Sequence, residues 1–431
     1  MKSTTYYVSS LTGNDSNNGL TPDAPFKSLD KINEISLNPG DKVLLEKGSV
    51  FKGQYLHIKN CGDYEKDLIE ITSYGEGDEL PRIDADGSGV WYQDYGIPLD
   101  FKGHTYKGDV SSAILLYDTE NIFIHHIEIT NYEEFTTMDN YCAPRKMDRT
   151  GVSAVAKNRG TLRNITLSGL YIHDVSGNVY NKHMNNGGIY MTCFKPDNEA
   201  ETGVARYDGV TVKDCFVQNV SRWGIAVGYT YCHGKFTGAE LDEELFKKYG
   251  NENILMVNNY VKFAGGDAIT PMYALRPLVE HNAADTCAAE MNDRYYRYPE
   301  KRMGKVAAAI WPWKCKDALF RFNEACDTKL NQDGMAYDAD SGDGTVYEYN
   351  YSRQNEGGCI MFCMQEAIHN TFKNNISYDD LGGIISPVKN PDAYIANNHF
   401  YIRKGVPLKR KKMRNGKCTL VDNKITTLEN E

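Results

Sequence analysis

The sequence predicts an all-β protein, a right-handed parallel β-helix with an N-terminal capping helix and inserted loops. A short phrase of alternating apolar residues around a central Asn or Asp recurs along the chain. A second phrase, a Gly pair or near-pair that opens a short apolar strand, lies between copies of the first. Helical periodicity is nearly absent outside GAELDEELFKKYG at Gly238–Gly250. Short strands at a regular period with Asn and Gly at the corners are typical of β-solenoids.

The coil length follows from the central polar residue of the first phrase. Its copies centre on Asp214, Asn258, Asn323, Asn350, Asn374 and Asn397. The last three intervals are 27, 24 and 23 residues. Asn tolerates the left-handed backbone conformation that a tight corner needs, and its side chain can pair with equivalent Asn residues in neighbouring coils. We therefore expect an asparagine ladder along the corners.

One elongated domain is expected over residues 1–431, because this length exceeds a usual compact domain and the repeats run along it. Residues 1–50 form the N-terminal cap and first coil, with PFKSLDKI as the helix that shields the strand edges. Asn258 and Asn323 are 65 residues apart, far more than one coil, so residues 274–303 are predicted to be an inserted loop. Long loops on a solenoid usually build the walls of a binding groove.

Charge and hydropathy exclude two classes of partner. A net charge of −10 and a pI near 5.6 argue against nucleic acid. The basic run LKRKKMRNGK at Leu408–Lys417 lies in the C-terminal end, 403–431, and is expected to be a solvated loop. No segment is an apolar run of the length that a membrane span needs. We expect neither nucleic acid nor a membrane as partner.

The cysteines point to a reducing compartment. Eleven are scattered from Cys61 to Cys418 without metal-ligand spacing, and several lie in apolar stretches, where Cys behaves as a small hydrophobe. No signal peptide precedes MKSTTYYVSS. These features predict a cytoplasmic protein with free thiols and no metal site. An extracellular location stays open if the chain is a truncated piece or a subunit.

The segment QDGMAYDADSGDG carries four aspartates and no Lys or Arg, namely Asp333, Asp338, Asp340 and Asp343. A solvated corner, a structural calcium loop and a set of catalytic carboxylates compete as explanations, and the closing Glu of a calcium loop is absent. On a strand, Asp338 and Asp340 share the outer face with Cα atoms about 6.6 Å apart. Crowding raises at least one pKa, which lets a proton donor and an anion coexist near neutrality. The pattern favours catalytic carboxylates.

Three stretches resemble glycoside hydrolase family 136, the lacto-N-biosidases. They are the opening from YYVSSLTGNDSNNG to PGDKVLLEKGSVFKG, the strand DGMAYDAD and the coil YNYSRQNEGG. The resemblance implies a retaining hydrolase that releases lacto-N-biose from lacto-N-tetraose-type oligosaccharides of milk or mucin, with no cofactor. The family uses two aspartates seven residues apart, and Asp333 and Asp340 have that spacing. We assign Asp340 as nucleophile and Asp333 as acid/base, with Asp338 as the third candidate.

Geometry sets a condition on this pair. Seven extended residues would separate Asp333 from Asp340 by about 23 Å. Retaining glycosidases hold their carboxyl groups about 5–5.5 Å apart, and inverting enzymes about 6.5–9.5 Å apart. The chain must therefore turn between them, at Gly334 or through a bulge near Ala339. A straight segment would make Asp338 and Asp340 the better pair.

Substrate contacts are expected on neighbouring coils, where Trp and Tyr offer flat faces to sugar rings. The candidates are His183, Asn186, Asp267, Trp311, Trp313 and Gln365, beside a tyrosine-rich wall at Tyr273, Tyr295, Tyr296 and Tyr298. For the aromatic residues the alternative is packing. For His183 and Asn186 it is the stabilisation of a coil corner.

Other functions stay open. The chain could be another β-helix glycosidase, such as a fucosidase or xylanase, or a non-catalytic carbohydrate-binding solenoid. It could also be a polysaccharide lyase in which Lys314 or Lys316 abstracts a proton. Family 136 relatives carry a helical domain ahead of the β-helix, whereas this chain begins its first coil within a dozen residues. The resemblance therefore implies a separate helical subunit or chaperone domain that docks on the solenoid.

Overall fold

Each coil is built from short strands joined by corners, and successive coils stack with their strands in register. The computed structural model describes residues 3–99, 104–134, 139, 142–143, 146–297, 304–410 and 415–429. Strand pairing within these ranges is parallel, except for the hairpin between Val90–Asp94 and Lys107–Tyr117. The predicted parallel β-helix is confirmed.

The strands fall on three faces. The first face has Thr5–Val8, Lys42–Glu46, Ile69–Tyr74, Ile122–His125, Thr161–Ser168, Arg206–Lys213, Asn251–Val257, Ala274–Leu275, Leu278–Glu280, Leu319–Arg321, Val346–Glu348, Thr371–Lys373, Ala393–Ala396 and Cys418–Val421. The second has Val50–Lys52, Arg82–Asp84, Glu128–Asn131, Tyr171–Val175, Phe216–Val220, Tyr260–Ala264, Ala283–Asp285, Glu324–Cys326, Tyr351–Arg353, Ile376–Tyr378, His399–Arg403 and Lys424–Leu428. The third has Leu56–Lys59, Val90–Asp94, Lys107–Tyr117, Asp148–Ala156, Gly187–Cys193, Trp223–Thr230 and Ile269–Pro271, then Met335–Asp340, Gly358–Cys363 and Ile385–Val388.

The two groups of strands on the third face belong to one ladder. Ile310 forms a bridge to Ile269 on one side and to Tyr337 on the other. Trp313 likewise bridges Met272 and Asp340. The segment around residues 310–313 therefore carries the register across the gap, and its side chains alternate in phase with those of Met335–Asp340.

A ladder of asparagines fixes the register of the later coils. From Asn282 onward, each side-chain oxygen accepts hydrogen bonds of 2.8–3.1 Å from the backbone N–H and the side-chain amide of the ladder residue before it. The ladder residues are Asn259, Asn282, Asn323, Asn350, Asn375, Asn398 and Asn423. Buried polar groups are thus satisfied from coil to coil.

Four of the six predicted central residues are wrong by one position. Asp214, Asn258, Asn374 and Asn397 adopt left-handed backbone conformations, with φ of 55°, 54°, 56° and 55°. The residue after each one joins the ladder, and at Cys215 it does so through its backbone N–H, which donates to the Asn259 side chain at 3.1 Å. The corner requires a left-handed residue immediately before the inward-pointing one. In an Asn pair, the first Asn takes the left-handed conformation and the second forms the ladder, whereas the prediction gave both roles to one Asn. Asn323 and Asn350 lie in the ladder as predicted.

The predicted inserted loop, 274–303, starts too early. Ala274–Leu275, Leu278–Glu280 and Ala283–Asp285 form a regular coil whose corner is Asn282. The excursion from the coil begins after Asp285. Its residues 298–303, including Tyr298, lie outside the described residues.

The helices that the described ranges contain in full are short. They are Asp30–Asn33, Glu199–Thr202 and Glu243–Tyr249, with a 3₁₀ turn at Tyr231–Lys235. Glu243–Tyr249 lies within the predicted helical stretch and starts at Asp242, whose carboxylate accepts from the Glu244 N–H at 3.0 Å. Within the described ranges, no helix has the length and apolar character needed to cross a membrane.

Replacing Asn375 by Ala should lower the free energy of unfolding by about 2–4 kcal/mol, because buried backbone groups lose their partners. Its side chain accepts from the backbone and amide of Asn350 and donates to the carbonyl groups of Tyr347 and Lys373. Thermal and denaturant unfolding midpoints would measure the loss.

The adjacent Asn374→Gly variant is the matched control. Asn374 is left-handed and its side chain lies outside the ladder, so Gly should change the free energy of unfolding by less than about 0.5 kcal/mol. Equal losses in the two variants would contradict a stabilising ladder.

Candidate active site

The strand Met335–Asp340 presents two carboxyl groups on the outer side of the third face. Tyr337 and Ala339 are fully buried and point into the core, where the Tyr337 hydroxyl donates to the carbonyl groups of Asn323 and Tyr351 at 3.0 and 2.6 Å. Asp338 and Asp340 alternate with them, and oxygens of the two carboxyl groups lie within 4.8 Å of each other. The predicted shared outer face is observed.

Asp333 lies beyond a turn at the start of this strand. Gly334 has φ of 79°, a left-handed conformation, and an added Cβ would lie 2.8 Å from the Lys329 carbonyl oxygen. The turn expected at Gly334 is therefore present. The Asp340 charge raises the pKa of Asp333, so the two carboxyl groups interact electrostatically across this turn.

The C-terminal basic run contributes to this turn. The Arg410 guanidinium donates to the Asp333 carbonyl oxygen at 3.0 Å and to the Gln332 carbonyl oxygen at 3.5 Å. The prediction of a wholly solvated loop at Leu408–Lys417 is therefore wrong for Arg410, because its charge is bound by backbone carbonyl groups. Residues 411–414 lie outside the described residues.

The three carboxyl groups have unequal environments. Burial raises the pKa of Asp333 to about 7; the Lys182 ammonium opposes the shift, and the charges of Asp340 and Asp267 add to it. Burial, then the charges of Asp340 and Asp333, raise the pKa of Asp338 well above its usual range. Burial also raises the pKa of Asp340, against the Ser341 hydroxyl, which donates to its carboxylate at 2.5 Å, and the Lys182 and Lys314 ammonium groups. Of the three, Asp340 has the most support for a negative charge.

Lys182 is a charged residue beside these carboxyl groups that the sequence analysis missed. Its side-chain nitrogen lies 5.9, 5.3 and 5.1 Å from the ring centroids of Trp223, Trp311 and Trp313. Burial lowers the pKa of Lys182, while the charges of Asp267, Asp340 and Asp333 raise it. Lys182 therefore places a cation among the carboxyl groups.

The position of Lys182 is set by a corner in which all residues from 176 to 186 are buried. The Trp223 indole N–H donates to the Lys182 carbonyl oxygen at 2.5 Å, which anchors the backbone. The signal that could have found this lysine is the charged residue within NVYNKHMNN, a polar corner with no acidic residue nearby in sequence. Its counter-charges come from coils that are distant in sequence.

Asp267 has a structural role at the edge of the site. Its carboxylate accepts from the Trp311 indole N–H at 2.9 Å and from the Ala308 N–H at 3.1 Å, and faces the Arg222 guanidinium at 3.6 Å. Asp267 and Arg222 are both fully buried. Asp267 therefore orients Trp311. Its predicted contact with substrate stays a prediction.

Trp311 and Trp313 project from the strand segment next to the carboxyl groups. Trp313 pairs with Asp340, and the two-residue alternation puts Trp311 beside Asp338. Trp311 is only 3% exposed and Trp313 only 7% exposed. The rings therefore pack as a wall beside the carboxyl groups and around Lys182, and sugar stacking on them stays a prediction. Of the predicted tyrosine wall, Tyr273 and Tyr296 are also buried.

His183 and Asn186 belong to the same buried corner. The His183 ring stacks on Tyr229 with centroids 4.2 Å apart and lies 5.1 Å from Trp313, and burial holds its pKa well below the usual range. The Asn186 amide donates to the Asn178 carbonyl oxygen. Both residues are fully buried, as expected for stabilisation of a corner, so their contact with substrate stays a prediction.

Gln365 lies at an exposed rim just after the strand Gly358–Cys363. Its amide donates to Glu366 at 3.5 Å, and the Glu366 charge raises the pKa of Asp340. Gln365 follows Cys363, the residue that pairs with Asp340, by two positions, and its contact with substrate stays a prediction.

A cavity of about 670 Å³ lies beside the Asp333 turn. Its lining comes from the inserted loop and from the residues before Asp333, namely Met291, Asn292, Asp293, Lys305, Leu330, Asn331 and Gln332. This volume is within the range of about 300–1,000 Å³ that is usual for small-molecule sites.

Asp343 is separate from the other three aspartates. Its carboxylate accepts from Lys316 at 2.9 Å and pairs with His369 at 2.9 Å. It lines a second cavity of about 590 Å³ together with Glu240, Leu241, Asp242, Lys316, Asp317, Gly344 and His369. The four carboxylates therefore do not surround one cation, as a calcium loop would require.

Comparison with known proteins gives close relatives. No family model matches the chain. Two crystal structures of the GH136 lacto-N-biosidase from Eubacterium ramulus are 57% and 58% identical, with a TM-score of 0.95 for each; they cover 99% and 98% of this chain and 68% of theirs. The lacto-N-biosidase of Bifidobacterium longum subsp. longum is 44% identical over 437 residues, which covers 93% of this chain and 27% of that protein. This chain belongs to glycoside hydrolase family 136.

Proposed function

We propose that this chain is the catalytic β-helix of a retaining lacto-N-biosidase, which releases lacto-N-biose from lacto-N-tetraose-type oligosaccharides. Membership of family 136 and the names of the relatives support this activity. The chain spans 27% of the length of the Bifidobacterium protein. That the activity of the whole relative also belongs to this chain is therefore a proposal. The separate helical subunit stays a prediction.

The observation that carries the proposal is the difference between Asp333 and Asp340. Burial raises the pKa of Asp333 to about 7, so this carboxyl group holds a proton near neutrality. Asp340 receives a hydrogen bond from Ser341 and the electrostatic support of Lys182 and Lys314, which favours its anion. Glycoside hydrolysis needs one protonated and one ionised carboxyl group at the same bond.

In the first step, a carboxylate oxygen of Asp340 bonds to the anomeric carbon of the lacto-N-biosyl unit. The bond from that carbon to the lactose oxygen breaks, and Asp333 gives its proton to the leaving oxygen. In the second step, Asp333 takes a proton from water, and the water oxygen displaces Asp340 from the anomeric carbon. Two inversions give retention of configuration.

Asp338 and Asp340 form the alternative pair, because their oxygens lie within 4.8 Å of each other. Asp338 is the weaker nucleophile, since burial and the neighbouring carboxylates raise its pKa well above the usual range and keep it protonated. The lyase alternative is weakened at Lys316. Burial lowers the pKa of Lys316, but the hydrogen bond to Asp343 and the charges of Asp343, Asp317 and Glu243 together outweigh this effect and raise it, which disfavours a neutral base.

The cavity beside Asp333 supports an oligosaccharide substrate. Its lining includes the side chains of Asn292, Asp293, Lys305 and Asn331, which can exchange hydrogen bonds with sugar hydroxyl groups. Because Gln332 joins this lining to Asp333, a sugar bound there has its glycosidic bond near the proposed proton donor.

The first test separates the roles of the carboxyl groups. Asp340→Asn and Asp333→Asn should each lower turnover of lacto-N-tetraose by at least about 10²- to 10⁴-fold. Azide should restore turnover of p-nitrophenyl lacto-N-bioside by Asp333→Asn. This leaving group departs with little protonation, and azide then displaces Asp340 from the anomeric carbon without needing a base. Proton NMR should identify a β-glycosyl azide.

Asp343→Asn is the matched control for these variants. Its carboxylate is bound by Lys316 and His369, so turnover should stay within a few fold of the wild type. An inactive Asp338→Asn variant beside a fully active Asp333→Asn variant would transfer the reaction to Asp338 and Asp340. Initial release of the α-anomer by the wild-type protein would contradict retention.

The second test uses pH. Asp333 must be protonated to donate, so kcat/KM for lacto-N-tetraose should fall as the pH rises through about 7, the pKa of Asp333. It should also fall at acidic pH as Asp340 becomes protonated. With p-nitrophenyl lacto-N-bioside the alkaline decline should flatten. An equal alkaline decline for both substrates would exclude Asp333 as the proton donor.

The third test concerns Lys182. Met keeps the aliphatic stem against the tryptophans but removes the charge that lowers the pKa of both Asp333 and Asp340. Lys182→Met should therefore move both limbs of the kcat/KM profile to higher pH, by about 1 unit.

Lys314→Met provides the comparison, because the charge of Lys314 acts on Asp340. It should move the acidic limb and leave the alkaline limb in place. Circular dichroism would check that both variants fold. A folded Lys182→Met protein with an unshifted profile would show that Lys182 only packs.

A further inference from the structure

A thiol lies next to the carboxyl groups of Asp338 and Asp340. Cys363 pairs with Asp340 across the parallel ladder, one coil further on and on the same outer face. The Cys363 sulfur and one carboxylate oxygen from each aspartate all lie within 4.8 Å of one another. The proposed hydrolysis has no use for a thiol at this position.

The Asp338 carboxyl group provides a second observation. The residue is 4% exposed, and its Oδ1 atom is buried without a hydrogen-bond partner. Buried carboxyl oxygens nearly always accept hydrogen bonds, because an unsatisfied one costs about 1–3 kcal/mol or more. The unsatisfied oxygen belongs to the group that lies within 4.8 Å of the Asp340 and Cys363 ligand atoms.

The donor set selects a class of ligand. One thiolate and two carboxylates suit Zn²⁺, which accepts sulfur and oxygen in tetrahedral geometry, whereas Mg²⁺ and Ca²⁺ take oxygen ligands. Zn–S bonds of about 2.3 Å and Zn–O bonds of about 2.0–2.2 Å would draw the three atoms together through side-chain rotation. Water would fill the fourth position, and the protons of Cys363 and Asp338 would pass to solvent.

We propose that Asp338, Asp340 and Cys363 form a binding site for a thiophilic divalent cation, with Zn²⁺ as its preferred ion. Bound Zn²⁺ occupies the Asp340 carboxylate and so prevents it from attacking the substrate. The inhibitory part rests on the proposed function, whereas the binding part stands on the three ligands alone. The Lys182 ammonium acts against the cation, so reversible rather than permanent occupancy is expected.

Binding is tested with Co²⁺ as a spectroscopic probe on the full chain. One equivalent should produce a thiolate-to-cobalt charge-transfer band and the visible bands of tetrahedral Co²⁺, and Zn²⁺ should remove them. Cys363→Ser should abolish the charge-transfer band, and Asp338→Asn should weaken binding by at least about tenfold. Absence of the band in the wild-type protein would overturn the site.

Cys418→Ser is the matched control, because Cys418 and Cys363 are the two cysteines that are not fully buried. The control should keep the wild-type spectrum and one bound equivalent. Loss of the band in Cys418→Ser, or its persistence in Cys363→Ser, would place the metal elsewhere. If Cys363→Ser does not fold, two other measurements test the site. Asp338→Asn should still weaken cobalt binding, and Zn²⁺ should raise the unfolding temperature of the wild-type protein.

Inhibition is measured as the ratio of hydrolysis rates with and without Zn²⁺ within each variant. Zn²⁺ should lower the wild-type rate at least tenfold, EDTA should restore it, and Cys363→Ser should reduce the inhibition. Hydrolysis that continues with one Zn²⁺ bound at Cys363 would overturn the inhibitory part. A protein that binds Zn²⁺ at this site but never hydrolyses the oligosaccharide would disprove the proposed function and leave the metal site standing.

Discussion

The parallel register of the coils is the constraint on which the rest of the structure depends. A shift by one residue would exchange the inner and outer faces of a strand, so Asp338 and Asp340 would enter the core and Tyr337 would leave it. The asparagine ladder resists this shift because each side chain bonds to its equivalents in the adjacent coils. The bridge from Ile310 to Tyr337 carries the register past the inserted loop. Trp313 therefore lies beside Asp340 although the loop separates this coil from the earlier ones.

Electrostatic compensation is the second requirement of this architecture. Several carboxyl groups share a poorly solvated groove, and burial alone raises the pKa of Asp333, Asp338 and Asp340. Lys182 is destabilised by the same burial, which lowers its pKa. The opposite charges reduce each other's desolvation cost, and the electron-rich faces of the tryptophans add an attraction to the ammonium. Lys182 thus favours the Asp340 carboxylate, while the pKa of Asp333 stays raised.

The fold and the central carboxyl groups could be predicted from local patterns, whereas their surroundings could not. Alternation along MAYDAD places Asp338 and Asp340 outward, and the turn at Gly334 is what glycine permits. Lys182, Arg222 and Arg410 meet the site from coils at least seventy residues away from Asp340 in sequence, so no local pattern predicts their contacts there. The coil at 274–285 was missed because one long interval between two asparagines concealed Asn282. Asn258, Asn374 and Asn397 were assigned to the ladder because adjacent asparagines look equivalent until the backbone distinguishes a left-handed corner from an inward-pointing residue.

Asp338 explains why the site holds three carboxyl groups on one segment when hydrolysis needs two. A buried oxygen without a hydrogen-bond partner destabilises the fold, and such costs concentrate at functional sites. Burial and the charge of Asp340 raise the pKa of Asp338, which favours a proton on Asp338 beside the Asp340 carboxylate. Removing that proton would place two negative charges within 4.8 Å in a poorly solvated groove, unless a cation replaces it. Under the two proposals, the arrangement that favours the Asp340 anion therefore also favours Zn²⁺ in place of the Asp338 proton.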